Sequence, residues 1–376
     1  MIYLDNAATT YIKPRDTYSY IKFCLKKCGG NPGRSSHSLS AGAGELIYRA
    51  REAVTELLGT DEPEKVVFCE NATHALNLAI KSYITKTCHV IISDVEHNSV
   101  VRPLEKLKRT LGVEHSTYDT DLPPDEAIAP LIREDTVGIV STLASNVTGK
   151  TTDIGALSRI AKERGLFLIV DASQAIGHGK INLAKTPCDV LCAPSHKALF
   201  GIQGSGFAVF RDGERANTLI EGGSGSDSRN TEMPSLLPEG YEAGTPPTPA
   251  IASLLGGIEF IRKVGIDEIE NKLNILEQKL AERVSAVPGS ILYSSGEGIV
   301  TFNLSNLTSS RIEAALDECG ICVRGGLHCA PSAHRKLGTL ERGAVRLSLS
   351  YFNKVSELDK VYKALCNISF QPYGFI

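Results

Sequence analysis

The chain of 376 residues has no apolar run approaching the roughly 18–20 residues that a membrane-spanning helix requires. It also lacks an excess of either charge: 40 basic against 43 acidic side chains leave a formal net charge of −3. That balance excludes the polybasic surface expected of a nucleic-acid or anionic-membrane binder. There is no internal repeat and no low-complexity tail, and the length and composition exclude disordered, collagen-like and disulfide-stapled miniprotein classes. The first residues, MIYLDNAATT, lack the basic and apolar regions of a secretory leader, so a cytoplasmic location is expected. What is present is an ordinary globular composition, 42% hydrophobic and 22% charged. A chain of this length is expected to form two or three domains with a substantial core. Ten cysteines stand out. In a reducing compartment they read as core residues, free thiols, metal ligands or catalytic groups rather than disulfides.

Short β-rich runs alternate with helical stretches through the first 260 or so residues. Strands are predicted at 65–69 (KVVFC), 90–93 (VIIS), 137–143 (VGIVSTL), 166–170 (LFLIV), 190–193 and 206–210, with helices at 73–83 and 154–164. Near-continuous apolar strands separated by helices indicate an α/β fold with a mostly parallel sheet covered on both faces. Ligands of such sheets bind beyond the carboxyl ends of the strands. A long amphipathic pattern at 266–284 and a strand at 298–304 suggest a smaller α+β domain in the last third. The Gly/Ser/Pro-rich stretch 222–249 is too long for a passive turn and reads as a functional loop or an interface segment.

Asp171 directly follows the LFLIV run. Alone it would be a helix N-cap. Lys197 lies between two apolar strands, and alone it would be a solvated loop charge. Together, an aspartate at one strand end and a lysine one strand further on suit pyridoxal phosphate. The carboxylate keeps the pyridine nitrogen protonated, and the lysine amine condenses with the aldehyde.

Ten motifs then occur in one order along nearly the whole chain: YLDNAATT at 3–10, GNPGRSSH at 30–37, ENATHALN at 70–77, EHNSVVRP at 96–103, SNVTGK at 145–150, VDASQAIGH at 170–178, SHK at 195–197, YEAGTPPT at 241–248, VRGGLHCAP at 323–331 and VRLSLSYFN at 345–353. In these the sequence resembles the class V aminotransferases of fold type I, specifically the cysteine desulfurase and selenocysteine lyase branch. The resemblance implies a large cofactor-binding domain over 16–255, with a seven-stranded-type sheet. Residues 1–15 and 256–376 would form a smaller α+β domain carrying the catalytic-cysteine loop. It implies that Lys197 binds pyridoxal 5′-phosphate covalently and moves protons, that Asp171 pairs with the pyridine nitrogen, and that Gln174 hydrogen-bonds the phenolic oxygen. His97 would stack on the ring. Ala72 and Thr73, opening a helix, would receive the phosphate together with His196 and Thr245. Thr245 would reach across from the second subunit of a homodimer. Asn146 would sit near both the cofactor oxygen and the substrate carboxylate, and Arg346, Arg324 and His37 would serve the substrate, Arg346 through the two-pronged grip on a carboxylate that guanidinium offers.

Two departures from the family pattern are visible. The serine that relatives place three residues before the lysine as a phosphate ligand is Pro194 here, with Ser195 the candidate replacement in binding the cofactor phosphate. The usual paired histidine before the loop cysteine is Leu327-His328. The same resemblance makes Cys329 the nucleophile that takes the substrate sulfur as a persulfide, and the nearby Arg324 and His328 suit a thiolate. The only CxxC, Cys319 and Cys322, spans a helix end and the strand predicted at 321–324, and no second one completes a metal set, so no metal is expected. His334 reads as lining the active-site loop. The short loop limits reach, which implies a dedicated sulfur-acceptor protein or a small thiol. L-selenocysteine is the alternative substrate. More distant readings are another class V reaction, such as transamination or kynureninase-like cleavage, and a non-catalytic sulfur- or metal-binding protein on this scaffold.

Overall fold

The computed structural model describes residues 1–33, 35–212, 217–225, 229–305 and 307–370. A seven-stranded sheet forms its centre, in the order Val66–Cys69, Gly206–Phe210, Val190–Pro194, Phe167–Asp171, Thr136–Thr142, His89–Ser93 and Glu114–Tyr118. Every pairing is parallel except the two made by Gly206–Phe210. The mostly parallel α/β architecture expected from the apolar runs is therefore present. One face packs on helices Ala72–Tyr83 and Asn98–Leu111. The other packs on helices Ser38–Leu57, Ile154–Arg164 and Thr248–Val264, in a core that continues beneath the smaller sheet to helices Ile266–Ser285 and Val355–Ser369. Double-sided coverage is what makes the strand sequences near-continuously apolar.

The smaller antiparallel sheet has the order Arg324–Gly326, Ala344–Ser348, Ile299–Leu304 and Ser290–Gly296. The strand expected at 321–324 is in fact two pieces in different sheets. Ile321–Cys322 pairs in parallel with Ile2–Tyr3, and the chain then turns so that Arg324–Gly326 joins the four-stranded sheet. The chain start is thereby tied to the last third of the sequence. An isolated parallel bridge between Asp5 and Ser348 extends that tie.

One close approach fixes how the two sheets face each other, and another seats a helix on the large sheet. Gly149 (φ +67°) sits against Gly296, where an added Cβ would fall inside the Gly296 carbonyl. Ser294 Oγ donates to the Thr148 carbonyl (2.8 Å), and Thr301 Oγ1 donates to that of Val147. Gly206 lets the first residues of helix Ala72–Tyr83 come down on the sheet, since a Cβ there would meet the Asn71 carbonyl carbon at 2.7 Å. The 222–249 stretch includes 226–228, which lie outside the described residues; its described part carries no helix or strand before Thr248. Among the described residues no helix is long and apolar enough to cross a membrane.

Candidate active site

Parallel register brings Thr142, Asp171 and Cys192 abreast at the carboxyl ends of three adjacent strands. A cavity of about 210 Å³ opens directly above them. Its wall includes Ala72, Thr73, His97, Asn146, Asp171, Gln174, His196, Lys197, Arg324 and Arg346, so the topology gathers most of the residues singled out in the sequence. Asp171 ends its strand, and one carboxylate oxygen accepts the Ser173 N–H at 2.9 Å. Lys197 follows the strand Val190–Pro194. Burial pushes its ammonium down to about 8, while Asp171 pulls the other way. Gln174 donates to the Ala7 carbonyl at 3.1 Å.

His97 caps helix Asn98–Leu111. Its Nδ1 accepts the Ser99 N–H at 3.1 Å, so in the neutral ring the proton sits on Nε2. Burial lowers its pKa and favours that neutral form. Ser99 Oγ is 2.9 Å from the same Nδ1 and 2.8 Å from Thr73 Oγ1, which ties the ring to the helix start across the cavity. The turn that carries His97 rests on buried Glu96, whose carboxylate accepts from Ser93 Oγ and from the Thr142 N–H (2.7 Å). Burial raises Glu96 to about 8.

On the small sheet Arg324 and Arg346 are directly opposed in antiparallel register. Like charges in that position repel, so the pair favours an anion between or beside them. Asp5 supplies one: Arg346 Nη2 donates to it at 2.9 Å, and Nη1 donates to the Asn146 carbonyl at 2.9 Å. Two of the five guanidinium donors are thus engaged, and the buried Nε has no partner among the described residues. Asn146 Oδ1 and His196 Nδ1 are also buried without one. Of these three atoms around one cavity, Arg346 Nε can only donate and Asn146 Oδ1 can only accept, so they fit a polar occupant that presents an anionic group to Arg346 and a donor to Asn146.

The remaining expected residues lie elsewhere. Ser195 is wholly buried behind the wall, accepting from Ser205 Oγ at 2.7 Å. Thr245 lines a neighbouring cavity of about 660 Å³ that shares Asn71 and His196 with the first, and Asn31 Nδ2 donates to it at 3.3 Å. His37 is exposed and caps helix Ser38–Leu57.

Six cysteines (24, 28, 69, 88, 188 and 192) are buried, and burial raises each of these thiols. Cys329 is exposed, with its Sγ 3.9 Å from Arg324 Nη2. Its backbone and that of His328 are left-handed, at φ 57° and 50°. The loop is clamped to the sheet side through two carbonyls: Asn146 Nδ2 donates to that of His328 and the Asn98 N–H to that of Cys329, both at 2.7 Å. Cys319 caps helix Ser309–Glu318 and Cys322 ends the strand paired with Tyr3. Among the described residues no three His, Cys, Asp or Glu side chains gather as a metal site.

Sequence reasoning missed Asp5, Asn98 and Glu96 as parts of this site. The YLDNAATT and EHNS motifs contain all three, and those motifs were the available signal.

The sequence profile of the class-V aminotransferases matches residues 2–361. A probable cysteine desulfurase of Methanothermobacter thermautotrophicus is 29% identical, over 98% of this chain and 94% of that protein. A cysteine desulfurase of Salmonella agona is 27% identical, over 98% and 93%. Among solved structures, the apo form of a cysteine desulfurase from Thermococcus onnurineus NA1 superposes with a TM-score of 0.86 at 25% identity, covering 98% of this chain and 94% of the other. A second from Escherichia coli, at 23% identity, reaches 0.87 over 97% and 94% and attests the shared fold. With its sheet, cavity and ordered motifs, the chain belongs to the class-V aminotransferase family.

Proposed function

We propose that this protein is a pyridoxal 5′-phosphate-dependent cysteine desulfurase, which moves the sulfur of L-cysteine to Cys329 and leaves L-alanine. The observation that carries the reading is the shared cavity: Asp171 at a strand end and Lys197 just beyond the next strand face the Arg324–Arg346 pair, beside which Cys329 is exposed. The names of the relatives favour this activity over selenocysteine cleavage.

The residues present fit the cofactor. Asp171 would hold the pyridine nitrogen, Gln174 the phenolic oxygen and His97 a ring face, with the neutral imidazole adding no charge there. The free N–H groups at Ala72 and Thr73, with His196, would receive the phosphate. When bound, the cofactor supplies an electron sink for the pair released when the substrate loses its Cα proton. Lys197 would hold the cofactor and then, as a free amine, carry that proton. Arg346 Nε and the Arg324 guanidinium would take the substrate carboxylate. The Cys329 thiolate would attack the substrate Sγ. An S–S bond forms, the Cβ–S bond breaks with its electron pair left on the carbon skeleton, and protonation there gives alanine.

The same reading divides the chain into 16–255 and the joined pieces 1–15 and 256–376. It places Thr245 at the phosphate site of a second copy in a homodimer, and assigns removal of the persulfide to an acceptor protein or a small thiol in the cytoplasm.

The test is direct. Protein purified with the cofactor should be yellow, lose the band with borohydride, and convert L-cysteine to equal amounts of alanine and, with a reductant, sulfide. Cys329→Ala should keep the band and lose desulfuration. A colourless protein after cofactor addition, or full desulfuration by Cys329→Ala, refutes the proposal.

A further inference from the structure

Behind the Cys329 loop lies the short helix Pro331–Lys336, with two histidines joined end to end. His328 Nε2 is 3.1 Å from the carbonyl oxygen of Arg324, which can only accept, so Nε2 carries a proton. Burial pushes His328 down to about 3, so the ring is neutral and its Nδ1 is an acceptor. His334 Nε2, 3.1 Å away, therefore donates to it. His334 is wholly buried and is itself lowered to about 4 by burial. Its Nδ1 is then an acceptor too, and the Thr339 hydroxyl donates to it across 2.8 Å in preference to the His334 carbonyl, which lies at 3.4 Å. The bonds run one way: Thr339 hydroxyl to His334, His334 to His328, His328 to the Arg324 carbonyl.

We propose that His334 is a positioning residue for Cys329, acting through His328 on the backbone of Arg324. Three restraints then hold the loop. Asn146 and Asn98 fix the His328 and Cys329 carbonyls from the sheet side, and the histidine pair fixes the Arg324 carbonyl from behind. The helix that carries His334 is anchored at its far end, where Lys336 Nζ reaches Asp94 (2.7 Å), Asp119 (2.6 Å) and Asp121 (2.9 Å). Two consecutive non-glycine residues in the left-handed region relax unless their surroundings hold them. Losing the third restraint lets the loop leave that conformation and moves Sγ from the Arg324 guanidinium. His334 does not line the cavity, so its effect differs from that of a residue touching substrate. The assignment rests on the desulfurase reading for its kinetic consequence, but the loop geometry can be read without turnover.

The test uses holoenzyme of wild type, His334→Phe, His334→Gln, Thr339→Val and Thr339→Ser. Glutamine keeps a donor where Nε2 stands, and serine keeps the hydroxyl. Two readouts are taken: peptide-mapped alkylation of Cys329 by iodoacetamide, and kcat and KM for L-cysteine, with cofactor absorbance as the loading control. One lost hydrogen bond should slow both alkylation and kcat about fivefold in His334→Phe and Thr339→Val, with KM and absorbance unchanged. Glutamine and serine should restore wild-type rates. If His334→Phe does not fold, the Thr339 pair decides alone. Equal effects of valine and serine, or an unchanged alkylation rate in every variant, overturn the assignment. Absence of turnover in wild type with a changed alkylation rate in the variants would refute the desulfurase reading and leave the positioning role standing.

Discussion

Limiting acetic anhydride, applied to the cofactor-free protein across a pH series and followed by peptide mapping, reads the ionisation of each lysine separately. Lys197 should titrate near 8, because burial disfavours its ammonium more than Asp171 favours it. Relative to an ordinary lysine at 10.5, the displacement corresponds to about 3 kcal/mol. At pH 7.5 about a quarter of the Lys197 amines would be neutral, against about one in a thousand for an unperturbed lysine. That neutral fraction is what allows the amine to attack an aldehyde or accept a proton near neutrality. The linkage has a definite sign. Between about 8 and 10.5 the unfolded chain binds the proton that the folded chain has lost, so this group adds stability as pH rises through that window. Asp171→Asn should move the midpoint below about 8, since the carboxylate raises it. Lys336, held protonated by its three carboxylates, is the internal control and should stay unreactive where Lys197 labels. A Lys197 midpoint near 10.5, or an upward shift in Asp171→Asn, would refute the reasoning.

Three further outcomes are expected. Glu96, raised to about 8 by burial, keeps its proton when folded and loses it near 4.5 when unfolded, so its contribution declines as pH rises through that interval. Glu96→Gln should therefore raise the thermal midpoint at pH 8 and leave it unchanged near pH 4; a drop at pH 8 contradicts this. Gly149→Ala drives a Cβ into the Gly296 carbonyl from a left-handed backbone, and should cost about 3 kcal/mol in denaturant unfolding. Lys336→Met leaves Asp94, Asp119 and Asp121 facing one another, with an expected loss of about 2 kcal/mol by the same measurement that shrinks in high salt. A salt-independent loss would assign the effect to packing instead.

The sequence reveals what is local and buried. Strands Phe167–Asp171 and Gly206–Phe210 are legible because both faces are covered and every residue can be apolar. The edge strand Val66–Cys69 is legible for the same reason, but two other edge strands are not. Glu114–Tyr118 (EHSTY) and Ser290–Gly296 (SILYSSG) are largely polar or exposed and carry no such run. Asp171 and Lys197 could be found because they end or follow legible strands. The pairing of Arg346 with Asp5 depends on a tie between the two ends of the chain, and the opposition of Arg324 to Arg346 on antiparallel register. Neither is a property of any window of sequence. His328 and His334 do not share a helix face, and the left-handed turn at His328–Cys329 is what brings their rings together, so their spacing gives no signal.

The central claim is that Cys329 takes up the substrate sulfur. Holoenzyme incubated with L-cysteine without reductant, then alkylated and digested, can be examined by mass spectrometry for one added sulfur atom on each cysteine. The account predicts the addition on Cys329, its removal by a thiol reductant, and one alanine formed per persulfide. An extra sulfur on Cys319, Cys322 or Cys366 with Cys329 unmodified, or alanine formed with no persulfide on the protein, would contradict it.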